Sequence, residues 1–142
     1  MRQSVNSVLL VDDDKATSFF NEIIVSRHKG FNQIEKAFSG QEALAYLKEI
    51  RDKQQIKPDL ILLDINMPAM NGWEFITEFE KLDKSFTNSI KVVLLSTSSC
   101  KDDLEKSLTS PTVLDFIHKP LSFDALDILI DTHFNEYTKI NA

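Results

Sequence analysis

The sequence predicts a doubly wound α/β sheet of five parallel strands with five helices, and three observations predict it. Short apolar runs alternate with segments of helical period, the pattern of consecutive βα units rather than of a sandwich or a bundle. The runs Val8 to Val11, Leu60 to Leu63 and Val92 to Leu95 are wholly apolar, as strands covered on both faces must be. Two further runs carry polar residues, Glu35 and Lys36 in one, Asp115 and His118 in the other, which places them at sheet edges where polarity discourages further pairing. The order 2-1-3-4-5 follows.

The first strand runs into Asp12, Asp13 and Asp14. Asp14 is a plausible cap for a first helix whose apolar stripe is Ala16, Phe19, Phe20, Ile23 and Ile24. The second strand, Gln33 to Ala37, is the weakest, with Ile34 and Ala37 as its clear buriable groups. Ser39 with Glu42 three residues on has the spacing of a capping box and opens a second helix that buries Ala43, Leu44 and Leu47. Arg51 to Lys57 reads as a solvated connection, and Leu60 to Leu63 then leads to Asp64. Met67-Pro68 and Asn71-Gly72 form a loop, with Pro68 and Gly72 shaping it. Asn71 and Glu74 repeat the capping pattern for a third helix carrying Phe75, Ile76, Phe79 and Leu82. Asp83 to Asn88 is a second polar connection. Val92 to Leu95 ends at Ser96. Ser99 followed by Asp102 opens a short fourth helix with Leu104 and Leu108, and Val113 to Ile117 leads to His118, Lys119 and Pro120. Ser122 opens the fifth helix, with Leu126, Leu129, Ile130, His133 and Phe134 on its inner side.

A length of 142 residues suits one domain, with a folded core over about 6–138 and no output domain following it. The net charge of −6 repels a phosphate backbone, which disfavours direct nucleic-acid binding. Nothing resembles a signal peptide or the roughly 18 apolar residues of a membrane span. The lone Cys100 has no internal disulfide partner, so a reducing cytoplasm is expected and Cys100 is read as a plain free thiol. His28, His118 and His133 lack ligand spacing and are read as surface or partly packed residues.

In a parallel sheet the carboxyl ends of the strands open on one edge, so Asp12, Asp13, Asp64, Ser96 and Lys119 gather in one crevice. Taken singly, each has a structural reading: a turn and helix cap, a strand-end Asp, a surface Ser or Lys. Together, the three carboxylates offer the hard oxygen ligands that Mg²⁺ prefers. The hydroxyl can donate to a phosphoryl oxygen and the ammonium can neutralise another. That division of labour suits phosphoryl transfer, in which catalysis is mainly positioning and electrostatics. Asp64 is then the nucleophile, giving an acyl phosphate.

VLLVDDD at 8 to 14, LLDINMPAMNG at 62 to 72, VVLLSTS at 92 to 98 and DFIHKP at 115 to 120 resemble the signature blocks of the receiver domain of two-component response regulators. The similarity covers almost the whole chain. It implies a flavodoxin-like fold with the strand order already given, so the two readings of that order are not independent. It also implies Asp64 as phosphoacceptor, Asp13 as a direct Mg²⁺ ligand, Asp12 assisting through water and the Asn66 carbonyl as a further ligand, with Mn²⁺ as an expected substitute ion. Ser96 becomes the switch hydroxyl, Lys119 the phosphoryl-contacting cation, and Lys119-Pro120 a cis peptide. Phe116 matches an aromatic switch position, although packing accounts for it equally well. Thr97 stands where a smaller residue is usual and is expected to prolong the phosphorylated state by crowding the attacking water.

The function so implied is that of a stand-alone signalling phosphoacceptor that catalyses its own phosphorylation and dephosphorylation but is not otherwise an enzyme. Its donor is a sensor histidine kinase or phosphotransfer protein, and its downstream partner meets the fourth helix, fifth strand and fifth helix. One rival is a phosphotransferase of the haloacid dehalogenase type. Asn66 stands where that family has a second Asp, and no cap insertion is present. The other rival is a receiver-shaped module that is never phosphorylated, against which the retention of all five site positions argues.

Overall fold

The computed structural model describes residues 5–97 and 101–134. Five strands, β1 (Val5–Val11), β2 (Phe31–Ala37), β3 (Leu60–Asp64), β4 (Lys91–Ser96) and β5 (Val113–His118), form one parallel sheet in the order 2-1-3-4-5. The connecting helices are α1 (Lys15–Arg27), α2 (Gly40–Lys53), α3 (Gly72–Phe79), α4 (Lys84–Thr87), α5 (Lys101–Thr109) and α6 (Phe123–His133). The fold is flavodoxin-like.

Alternation along each strand sorts the core into two layers. Leu9, Val11, Ile61, Leu63, Val92 and Leu94 face one side, where Leu47 of α2 and Phe75, Ile76 and Phe79 of α3 cover them. Val8, Leu10, Leu60, Leu62, Val93 and Leu95 face the other, beneath Val25 of α1 and Leu126, Leu129 and Ile130 of α6. Local capping sets the helix starts: Ser39 accepts from the Glu42 N–H, Ser122 from the Ala125 N–H, and Asn71 and Glu74 form a complete reciprocal box. The β4–β5 register shifts between Val92 and Val93, leaving Leu114 as the extra residue of a bulge on the edge strand.

Several sequence expectations are corrected. The inner face of α1 is Ser18, Asn21 and Val25, while Phe19 and Phe20 are 62% and 42% exposed and Ala16 is also exposed. Helix α1 has more apolar residues than one stripe holds. The small Ser18 lets it lie close on the sheet where a phenylalanine would hold it off, although the buried Ser18 hydroxyl has no hydrogen-bond partner among the described residues. Asp14 occupies the cap position of α1, but its carboxylate accepts from the Thr17 hydroxyl rather than from the backbone. Strand β2 begins two residues earlier than the pattern suggests, with Phe31 buried, and Ile34 is only half-buried. Residues 51–53 belong to α2. The connection at 83–88 holds the extra one-turn α4, whose last carbonyls are approached by the Lys57 ammonium, 2.8 Å from the Phe86 oxygen. Leu104 and Leu108 of α5 are 44% and 76% exposed, and Ser107 is the buried residue of that helix. Ser99 and Cys100 lie outside the described residues.

The α1 correction is tested by stability. Val25→Ala should cost about 2 kcal/mol in urea unfolding, whereas Phe19→Ser should cost less than about 0.5 kcal/mol. The reverse ranking would restore the phenylalanine stripe.

Candidate functional site

The carboxyl edge of the sheet carries the expected cluster. Asp12 and Asp13 follow β1, Asp64 ends β3, Ser96 ends β4 and Lys119 follows β5. Carboxylate oxygens of Asp12, Asp13 and Asp64 lie within 4.8 Å of one another, with Asp12 and Asp64 buried and Asp13 the most open. The Lys119 ammonium, largely enclosed, stands 2.7 Å from Asp12 Oδ2 and 3.2 Å from Asp64 Oδ1. Asp12 Oδ1 also accepts the Asp14 N–H at 2.9 Å, which fixes the rotamer of the first carboxylate. The Asn66 N–H approaches Asp64 Oδ1 at 3.4 Å.

Burial, and then the neighbouring Asp12 charge, push the Asp64 carboxyl above its ordinary range against the opposing pull of Lys119. Burial alone would lower the Lys119 pKa, but its hydrogen bond and charge contact with Asp12, then those with Asp64, outweigh it and raise the value. The ammonium therefore persists at neutral pH. These donors fit a divalent cation of the Mg²⁺ type: three hard carboxylates converge, and one faces solvent, leaving room for retained waters. A single ammonium set against three carboxylates leaves two negative charges at the cluster when all three are ionised.

Two shape residues explain the loop after β3. A Cβ on Gly72 would lie 2.9 Å from Ile65 Cα and 3.1 Å from the Asp64 carbonyl oxygen, so close backbone approach is what glycine serves here. Its N–H donates to the Ile65 carbonyl at 2.8 Å. Ala69 takes a left-handed φ of 66°, and the exposed Pro68 precedes it. The Lys119-Pro120 peptide is cis.

Ser96 is fully buried, and the Lys119 N–H donates to its carbonyl at 2.8 Å. Ser96 pairs with His118 and Leu94 with Phe116, so Ser96 and Phe116 share one face of the sheet, two register positions apart. Phe116 is half-buried against the core, with its ring 5.3 Å from that of His118. Thr97 is exposed and lines a cavity of about 370 Å³ with Lys119, Pro120, Ala16, Phe20 and Asn21. Nothing in the sequence pattern singles out Phe20 and Asn21, because both read as ordinary helix positions. The three histidines stand apart. His28 bonds Asp127 at 2.6 Å, His133 bonds Asp115 at 3.1 Å, and His118 is exposed.

The family model of the response regulator receiver domain matches residues 8–131. A two-component response regulator from Cytophaga hutchinsonii is 35% identical, with a TM-score of 0.84 over 91% of this chain and 96% of that one. The phosphorylated phytochrome response regulator RcpA of a cyanobacterium is 29% identical, with a TM-score of 0.70 over 88% of each chain. The transcriptional regulatory protein MalR of Bacillus subtilis is 35% identical over 118 residues, 83% of this chain and 46% of that protein. The chain thus spans about half the length of such curated relatives.

The raised Asp64 pKa makes a signed prediction. Between the ordinary value of 3.8 and the higher folded value, the folded chain holds a proton that the unfolded chain has released, so this group's contribution to stability falls as pH rises. Without divalent cations, Asp64→Asn should therefore melt above the wild type at pH 7, with the difference shrinking on acidification below pH about 4. Equal melting at both pH values would contradict this.

Proposed function

The chain belongs to the response regulator receiver family, and on that premise we propose that it accepts a phosphoryl group on Asp64 from a phosphohistidine in a sensor kinase or phosphotransfer protein. The observation that carries the proposal is the convergence of Asp12, Asp13, Asp64 and Lys119 at one sheet edge beside Ser96. An Asp64 carboxylate oxygen forms the new O–P bond as the N–P bond of the donor breaks, and the electron pair of that bond stays with the departing imidazole. Asp13 directly, Asp12 through water, Asp64 and the Asn66 carbonyl would hold a Mg²⁺, or Mn²⁺ in its place, and the ion would supply charge neutralisation for the transferring group. Lys119 neutralises a second phosphoryl oxygen, which requires its ammonium to loosen its hold on Asp12 and Asp64. The Ser96 hydroxyl donates to a third. Hydrolysis of the acyl phosphate resets the chain, and Thr97 at the cavity rim slows the incoming water.

Output then travels along β4 and β5. Drawing the Ser96 hydroxyl toward the phosphoryl group opens space on the face it shares with Phe116, which redistributes two packings of β5 and its flanks. The partner surface is α5, β5 and α6, where Leu104, Leu108, Leu114 and Ile128 are exposed. No helix among the described residues is long and apolar enough to cross a membrane, and we place the reaction in the cytoplasm without direct nucleic-acid contact.

Incubation with Mg²⁺ and a small acyl-phosphate donor should label Asp64, read by intact mass and peptide mapping. Asp64→Asn should take no stable label, and equal labelling of that variant would end the assignment. Asp13→Ala should weaken Mg²⁺ binding by about 10–100-fold. Thr97→Ala should lose its phosphoryl group faster than the wild type, and an unchanged decay would remove Thr97 from control of the water.

A further inference from the structure

Helix α5 has little apolar packing to hold it. Ser107 is its buried residue, while Leu104 and Leu108 face outward, so no apolar stripe fixes how the helix is rolled against the body. The helix lies beside β5, and one side chain of α3 also grips it. Trp73, half-buried against the core, donates its indole N–H to Asp103 Oδ1 at 2.9 Å, and the Lys106 ammonium stands 5.4 Å from the indole ring centroid. Asp103 and Lys106 lie three residues apart on one face of α5 and straddle the ring from opposite signs of charge. Trp73 follows Gly72 directly. Gly72 in turn is pressed on the backbone of Asp64 and Ile65 so tightly that a Cβ has no room. The backbone of Trp73 is thus anchored to the segment that carries Asp64, and its ring is anchored to α5.

We propose that Trp73 is a latch that holds α5 in its resting orientation and links that orientation to the Asp64 segment, and that phosphorylation releases it. The release rests on Asp64 being the phosphoacceptor; the resting latch does not. One charge-assisted hydrogen bond and one cation–π contact together bias an equilibrium by about ten- to a hundredfold, a bias that a phosphoryl group with several new contacts can reverse. In the released state α5 turns and presents Leu104 and Leu108 differently to a partner. Trp73 is a positioning residue and touches no reacting atom.

Trp73 is the one tryptophan of the chain, so its fluorescence reads the latch directly. In the resting protein, amide hydrogen exchange of residues 101–109 should quicken about five- to tenfold in Asp103→Ala and in Trp73→Phe, with the β1 and β3 amides unchanged. Asp103→Asn, which keeps an acceptor oxygen, should restore most of the protection. Asp103→Ala lies on the outer helix and spares the core, so it decides the matter if Trp73→Phe loosens the whole fold. Unchanged exchange over 101–109 in Asp103→Ala overturns the latch. Adding Mg²⁺ and beryllofluoride to the wild type should shift the Trp73 emission to the red, toward that of resting Asp103→Ala. If the emission stays fixed while a small acyl phosphate labels Asp64, release is wrong and the phosphoacceptor reading stands. If Asp64 takes no label, the phosphoacceptor reading fails, and the exchange data still judge the resting latch.

Discussion

Three carboxylates brought within 4.8 Å of one another in a partly buried crevice repel strongly, and the rest of the molecule is arranged around that repulsion. Two unit charges 4 Å apart at the edge of a protein interact by about 4 kcal/mol, a substantial share of the stability of a domain this size. Lys119 relieves part of it by bridging Asp12 and Asp64. The remaining negative charge suits the site to a divalent cation, and in the proposed reaction the phosphoryl oxygens would meet that cation and Lys119.

Holding such a cluster requires rigid backing. The carboxylates sit at the ends of β1 and β3, adjacent strands in register from Val8 against Leu60 to Val11 against Leu63. Their side chains below the site are almost fully buried on both faces. The Asp14 N–H fixes Asp12, and the contact of Gly72 with Ile65 and Asp64 fixes the loop behind the acceptor. Lys119 comes from the far edge of the sheet, beyond β4, and its N–H is tied to the Ser96 carbonyl. Short covalent and hydrogen-bonded paths therefore run from the acceptor edge to β4, β5 and α5, the paths that the proposed switch would use.

Much of this was legible in the sequence because it is local or periodic. Glu35, Lys36, Asp115 and His118 mark the edges, and Ser39, Asn71 and Ser122 mark helix starts through hydrogen bonds spanning three residues. What escaped the pattern depends on how elements meet. The inner face of α1 is chosen by close approach to the sheet, which favours Ser18 over the more apolar Phe19. Helix α5 turns its leucines outward and its Asp103 toward Trp73 of α3, a pairing 30 residues apart that no periodicity encodes. The crevice residues could be named from strand ends, but not that Lys119 rests on Asp12 more closely than on Asp64.

That resting contact sets the ammonium against Asp12 and Asp64, where it would compete with a divalent cation for the same carboxylates. Calorimetric titration of Mg²⁺ into wild-type and Lys119→Met protein tests it most directly. Removing the competing ammonium, with the aliphatic stem kept, should tighten Mg²⁺ binding by about tenfold, and the gain should vanish in Lys119→Arg, which keeps the charge. Unchanged or weaker Mg²⁺ binding in Lys119→Met would show that the ammonium and the cation do not compete for the carboxylates.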